Sequence, residues 1–484
     1  MKRLLTLCVV LTAIALAAAP VFAEVQNVKV SGDVKTTGVY REGYTLLDET
    51  RLRSANASST NNGIITQARV RVDADLTDNV STTVRYLTQY YWDTQDHQGS
   101  AASSASADDV DLDLANVTLK EAFYGPLTMM IGRQPLRLGN GFVLGDPDTN
   151  TTDANSAADM AYGDLSLRKS FDAVRGILDY SPLTVNLFYS KINETDAVAG
   201  SESLDADLYG INGSFDFDSY NGEVEAYWLY MLDDSNTAPD PCDTTAIRDC
   251  FRPASKLNTI GVRGSMTPMD NLNVLGEFAV QRGDYDNISA TKRDQDAYAY
   301  QVAGDYAFSD MSWAPVVRLG FTHYEGEPLD NDGDHEGWIP LFEDQTHGVV
   351  ANYILGGVNG GQNSNADILN IGVTAEPMED LTISVDFYNF WLDEKLVSAD
   401  NTLLSGTNVT PGWYNLDEDS YYVNASDEIG YEVDLALNYD YTEDVKMGLS
   451  AGWFVAGKAL EGSSGTSSND EKAVQLLATL DVAF

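Results

Sequence analysis

The sequence predicts an all-β fold: a transmembrane antiparallel β-barrel of about eighteen strands, with short periplasmic turns at one end and long extracellular loops at the other. Three observations carry that expectation. Residues Gln475 to Phe484 read QLLATLDVAF, with Leu476, Ala478, Leu480, Val482 and Phe484 on one parity and Gln475, Thr479 and Asp481 on the other. Such alternation marks a strand, whose successive side chains point to opposite faces. Short turn signals and longer polar segments then alternate along the whole chain. Beyond the N-terminal apolar run, no segment has the roughly 18 apolar residues that a transmembrane helix needs, and a barrel evades that test because only every second residue faces lipid.

At the N-terminus, Lys2 and Arg3 precede an apolar run from Leu4 to Ala19, and Val21-Phe22-Ala23 leads into Glu24. This reads as a secretory signal peptide over residues 1–23, leaving 24–484 as one outer-membrane barrel domain. Cys8 lies inside the apolar run with no lipobox before it.

The turns come next in order. They are Thr77-Asp78-Asn79, Tyr124-Gly125-Pro126, Ser181-Pro182, Asp218-Ser219-Tyr220, Pro268-Met269-Asp270-Asn271, Ser309-Asp310-Met311, Pro377-Met378-Glu379-Asp380 and Thr442-Glu443-Asp444. Asn, Asp, Gly and Pro are the residues tight turns demand. Longer segments lie between them, including Asp93 to Asp109, Gly139 to Ser170, Asp233 to Lys256, Gly326 to Asn365, Glu394 to Asp427 and Ala459 to Glu471. Lys446 and the segments Gly139–Ser170 and Gly326–Asn365 are expected to shape the mouth or fold inward as a constriction. About eighteen strands is porin size, wide enough for a water-filled channel.

Individual runs show two faces. Tyr431, Val433, Leu435, Leu437, Tyr439 and Tyr441, with Ile429, take the parity expected to face lipid. Glu432, Asp434, Asn438 and Asp440 take the parity expected to face a wet lumen. In Gln67 to Ala74 the same split puts Arg69 and Arg71 inside, and from Leu257 onward it puts Ile260, Val262 and Met266 outside and Arg263 inside.

Composition narrows the function classes. The chain has 29 Lys+Arg against 74 Asp+Glu, a net charge of −45, which argues against nucleic acid as a partner. Acidic outer loops suit either plain solvation or Ca2+ binding. Asp330-Asn331-Asp332-Gly333-Asp334-His335-Glu336 has the wrong Gly position for an EF-hand, so no metal ligands are assigned. Cys242 and Cys250 fall in PDPCDTTAIRDCFRP and are expected to form a disulfide in an oxidising compartment, stiffening a loop. The four histidines, His97, His323, His335 and His347, are expected at loops or strand ends, and no Gly-x-Ser-x-Gly, HExxH or CxxC motif is present. No catalytic residues and no cofactor are therefore expected, and the chain reads as a non-enzyme.

A more specific signal lies between Gly125 and Glu194. It reads GPLTMMIGRQPLRLGNGFVLGDPDTN and then LRKSFDAVRGILDYSPLTVNLFYSKINE. The Gly132-Arg133-Gln134 strand end, the Gly139-x-Gly141 loop and Ser170-Phe171-Asp172-Ala173-Val174-Arg175 resemble the alginate export family of outer-membrane porins. Ile429-Gly430-Tyr431-Glu432-Val433-Asp434 adds a second echo. The terminal Phe484 likewise resembles the signal read by barrel-insertion machinery.

The resemblance implies an eighteen-stranded barrel passing a polysaccharide or other anionic solute across the outer membrane. It also implies that Arg133 and Arg175 line the lumen, where guanidinium forks would meet carboxylates. Parity and turn position alone add Arg69, Arg71, Arg85, Arg137, Arg168, Arg263 and Arg318. They also give an acidic wall that includes Glu277, Asp305, Asp386, Glu432 and Asp434.

The expected partners are the bilayer with its lipopolysaccharide, a hydrophilic solute and barrel-assembly factors. Passive selection by charge and width is the expected mechanism. Two alternatives stand beside it. One is a general diffusion porin for small solutes. The other is a non-conducting barrel that sheaths or anchors a partner such as an electron-transfer protein.

Overall fold

A computed structural model describes residues 26–44, 60–92, 110–147, 163–193, 206–233, 256–286, 292–328, 334–357, 363–395, 426–460 and 472–484. The expected signal peptide over 1–23, the pair Cys242 and Cys250, His97 and the Asp330–Gly333 part of the acidic loop lie outside the described residues.

Nineteen strands run through the described residues. The first nine are β1 (Asn27–Glu42), β2 (Thr60–Thr77), β3 (Val80–Tyr91), β4 (Val110–Leu119), β5 (Leu127–Gln134), β6 (Phe171–Tyr180), β7 (Leu183–Asn193), β8 (Ala206–Phe217) and β9 (Gly222–Asp233). Next come β10 (Lys256–Met269), β11 (Leu272–Asp286), β12 (Lys292–Ala307), β13 (Val316–Tyr324) and β14 (Asp334–His335). The last five are β15 (Ala366–Met378), β16 (Leu381–Trp391), β17 (Glu428–Thr442), β18 (Val445–Ala456) and β19 (Lys472–Ala483).

The two residues of β14 pair parallel with β12 and stand apart from the wall. The other eighteen form one antiparallel ring, with β13 pairing directly to β15 and β19 pairing back to β1. Closure leaves no strand edge to satisfy, which is what a backbone crossing lipid requires. Each of the eight turns read from the sequence joins two strands at one end of this ring. The ends of the wall meet there too, with mutual backbone hydrogen bonds of 2.9 Å between Gly32 and Phe484. A Cβ on Gly32 would lie 2.6 Å from the Phe484 ring, so only glycine lets that ring lie across β1.

Alternation sorts the side chains as the sequence pattern anticipates. Val70, Val72, Ile260, Val262, Leu435, Leu476 and Leu480 are exposed on the outer surface. Gln67, Thr259, Glu432 and Gln475 are buried inside. Ile429 departs from the pattern. The β16–β17 register slips between Phe390 and Trp391, and Gly430 has φ 145°. The resulting bulge turns Ile429 inward into the apolar core, whereas Tyr431 and Leu435 keep the outward parity.

The interior is occupied by chain. Leu136, Leu138, Phe142, Val143 and Leu144, between β5 and β6, form one apolar cluster with Trp338, Ile339, Leu341 and Phe342, between β14 and β15. Phe142 stacks on Tyr324 at 5.5 Å and on Trp338 at 6.4 Å, and Phe171 meets Phe342 edge-on at 5.6 Å. The two inserted segments also join each other by backbone bonds, Phe342 N–H to Val143 C=O and Asp344 N–H to Gly141 C=O.

Candidate channel lumen

Glutamines and carboxylates on the wall hold the inserted segments by their backbone. Gln281 on β11 donates to Ile339 C=O at 2.7 Å and accepts Ile339 N–H at 2.9 Å. Gln295 on β12 donates to Gly337 C=O and bonds His335 Nδ1, each at 2.8 Å. Glu432 accepts the N–H groups of Val350 and Ala351 at 2.7 Å each, and Asp434 accepts Val349 N–H at 3.1 Å. Gln475 on β19 donates to Val349 C=O at 3.1 Å. Glu432 and Asp434 thus cap the free amides that open the short helical segment 349–357.

The same pattern secures segment 163–170 against β1–β3. Arg41 on β1 is buried, donates to Gln475 at 2.5 Å and pairs with Asp164 at 2.6 Å. Its guanidinium lies 3.7 Å over the Tyr353 ring. Gln67 donates to Leu165 C=O at 2.7 Å, and Gln89 accepts Leu167 N–H. Sequence reasoning missed Arg41 and these glutamines. Inward parity was readable for each, but their partners lie far away in the chain.

The arginines divide by exposure. Arg69, Arg71 and Arg85 stand on adjacent strands, with Arg71 directly opposite Arg85 in the ladder. Arg69 bonds Asp33 at 2.9 Å, Arg71 bonds Asp73 at 2.8 Å and Arg85 bonds Asp113 at 2.5 Å. Their side chains remain 26%, 42% and 21% exposed. Arg318 on β13 is also open, bonding Asp386 at 3.2 Å and standing opposite Asp305, which accepts from Asn273 at 3.0 Å.

Arg175 and Arg263 are more enclosed. Arg175 bonds Asn186 at 2.8 Å, and Asn186 continues through Asn212 to Glu225. Arg263 pairs with Glu223 at 2.8 Å, while its cross-strand neighbour Glu277 accepts from Tyr227 at 2.7 Å. Arg137 and Lys169 both engage Asp344, which ties the base of one inserted segment to the other.

Arg133 corrects the expectation taken from the resemblance. Alternation through β5 runs Ile131 outward, Gly132 inward, Arg133 outward and Gln134 inward, with Ile131 42% exposed and Gln134 fully buried. Arg133 therefore leaves the lumen and bonds Asp172 at 2.6 Å on the outer surface. Arg168 is its electrostatic neighbour.

Of the two histidines of the inserted segments, His335 is buried and His347 is partly buried. Burial pushes His335 down to about 3 and His347 down to about 4, so both are neutral at ordinary pH.

A closed, even-stranded ring with an apolar outer belt and charged residues on its inner wall defines the class: a barrel of the Gram-negative outer membrane, of the channel-forming kind that its family match indicates. Within that class, the family model for alginate export matches residues 34–474, and the chain belongs to that family.

No curated protein sequence matches the chain. Among solved structures it is similar to Acinetobacter baumannii OccAB1, at TM-score 0.53 and 12% identity, covering 96% of this chain and 98% of that one. It is also similar to Pseudomonas aeruginosa OccK11, at TM-score 0.51 and 11% identity, covering 95% and 96%. Pseudomonas aeruginosa OccK2, solved in complex with glucuronate, aligns at TM-score 0.50 and 10% identity, covering 95% and 99%.

Proposed function

We propose that this channel passes an anionic hydrophilic solute, of the sugar-acid or uronate class, along the inner wall of β2 and β3. One observation carries the reading. Arg69, Arg71 and Arg85 keep solvent access, while Glu277, Glu432 and Asp434 are buried beneath inserted chain. The wall that a solute can touch is thus more cationic than the inward residues taken together. Planar guanidinium forks suit carboxylates better than ammonium groups do. The glucuronate bound in OccK2 gives the same chemistry a precedent within a similar barrel. Chain folded into the interior takes up space that a threaded partner protein would need, which weighs against the sheath alternative.

The test is a planar-bilayer recording of the refolded protein in a salt gradient, with glucuronate added. Anion preference is expected, and Arg71→Glu with Arg85→Glu should shift the reversal potential toward cations. Each reversal should change the ion energy by about 1 kcal/mol, roughly fivefold in relative permeability. An unchanged reversal potential would remove this wall from the conduction path.

A further inference from the structure

The outer surface of the barrel carries a cluster that conduction leaves unexplained. His323 on β13 lies directly opposite Asp367 on β15 and Tyr300 on β12. It shares the outward parity of exposed Val317 and Leu319. His323 is nevertheless only 5% exposed, and Tyr298 and Tyr300 stack on its ring at 5.1 and 4.9 Å. Asp393, two residues beyond β16, completes the group.

The distances are those of a ligand set. His323 Nδ1 is 2.8 Å from Asp367 Oδ1 and 3.9 Å from Asp393 Oδ1. One ligand atom from each of the three residues lies within 4.8 Å of the others. A metal held at about 2.0–2.2 Å by nitrogen and oxygen spaces its ligands by about 3–4 Å, so an ion would replace the proton of the Nδ1–Asp367 hydrogen bond, spreading that pair slightly.

Electrostatics points the same way. Among the described residues, neither Asp367 nor Asp393 forms an ion pair with a lysine or arginine. Glu325 adds a third carboxylate nearby, held by Tyr298 N–H at 2.7 Å, and Asp393 is itself held by Gly326 N–H at 2.9 Å. His323 Nδ1 is the ring nitrogen turned toward both aspartates, within hydrogen-bond distance of Asp367. Partly buried carboxylates gathered around one imidazole are costly unless a cation joins them.

We propose that His323, Asp367 and Asp393 form a binding site for one divalent transition-metal ion, such as Zn2+, on the outer rim of the barrel. The imidazole selects such ions over Ca2+ and Mg2+, which prefer oxygen alone. The bound ion joins β13, β15 and the segment after β16 across the loop end of the wall, apart from the solute path.

Co2+ is the probe, titrated into the refolded full chain in detergent and followed by its visible absorption, with Zn2+ then added to displace it. One saturable equivalent is expected. Both His323→Gln and Asp393→Asn should weaken it by roughly tenfold or more. Asp393→Asn keeps the side-chain shape and so guards against misfolding of the histidine variant. Unchanged Co2+ affinity in both variants would overturn the site. So would equal displacement by Ca2+, since the acidic surface would then be collecting cations without the imidazole.

Discussion

Arg71 on β2 and Glu432 on β17 both point inward from one ring of strands, yet one side chain is 42% exposed and the other is sealed. The difference comes from what lies over each. Around β17, the segment 349–357 places its amide groups on Glu432 and Asp434, and apolar residues close over them. Around β2 and β3, segment 163–170 is fixed near the loop end by Arg41, Gln67 and Gln89, and the arginines nearer the turns stay wet. Inward parity therefore does not decide which charges a solute meets. The inserted chain decides it, by consuming the acids as backbone acceptors and leaving the arginines in ion pairs that water still reaches. The most open of these pairs, Arg71 with Asp73, is of the weak kind, which leaves that guanidinium free to exchange carboxylates.

This contrast can be broken most forcefully at Phe142. Phe142→Ala removes the ring packed between Tyr324 and Trp338 and should destabilise the inserted segments by about 3–5 kcal/mol. Limited proteolysis should then cut within 135–147, and conductance should rise, while the heat-modifiable barrel band on gels stays intact. A closed, uncut variant would show that the segments do not depend on this core.

Glu432→Ala tests the latch itself. Two buried amides lose their acceptor, at a cost of about 1–3 kcal/mol, and current noise from segment 349–357 should grow. Quiet traces would mean that Asp434 alone suffices.

A smaller effect is expected from pH. Burial, with Asp146 nearby, lifts Glu343 from its ordinary 4.5 to about 8. A carboxyl raised in the closed form binds its proton more tightly there than when the segment is released. Closure is therefore favoured most below about 4.5 and weakens as pH rises through about 8. Open probability should climb over that window, and Glu343→Gln should flatten the profile. A variant as pH-sensitive as the parent would assign the effect elsewhere.

The smallest effect sharpens the same comparison. Arg133→Glu reverses a charge on the outer surface and should leave the reversal potential unchanged. A shift equal to that of Arg71→Glu would place Arg133 in the lumen after all.

Much of the wall was legible in the sequence because its rules are local. Turn residues at Asp78-Asn79 or Glu443-Asp444 and the alternation of Tyr431 through Tyr441 each act over a few positions. Family likeness then pointed to a channel, and residues 34–474 match that family. The interior was less legible. Within Gly139–Ser170 and Gly326–Asn365, length and polarity allow either a mouth or an inward fold, and the partners of the described residues there are hidden from any local pattern. Glu432 meets Val350 across 82 positions, and Arg41 meets Gln475 across 434. Arg133 was misplaced because a motif was carried over without counting the alternation from Ile131. Ile429 was misplaced because a bulge at one glycine resets parity, and no local pattern announces it.

The seam between β1 and β19 imposes a sequence in time as well as space. Every other wall pairing joins strands adjacent in the ring and in the chain, whereas Thr36 must find Leu480. Contacts of such separation are slow to form in general, and until they do β1 and β19 are edges open to other strands. During that interval a foreign strand can compete for either edge. The Phe484 ring resting on Gly32 adds an aromatic contact to the pairing that closes this seam.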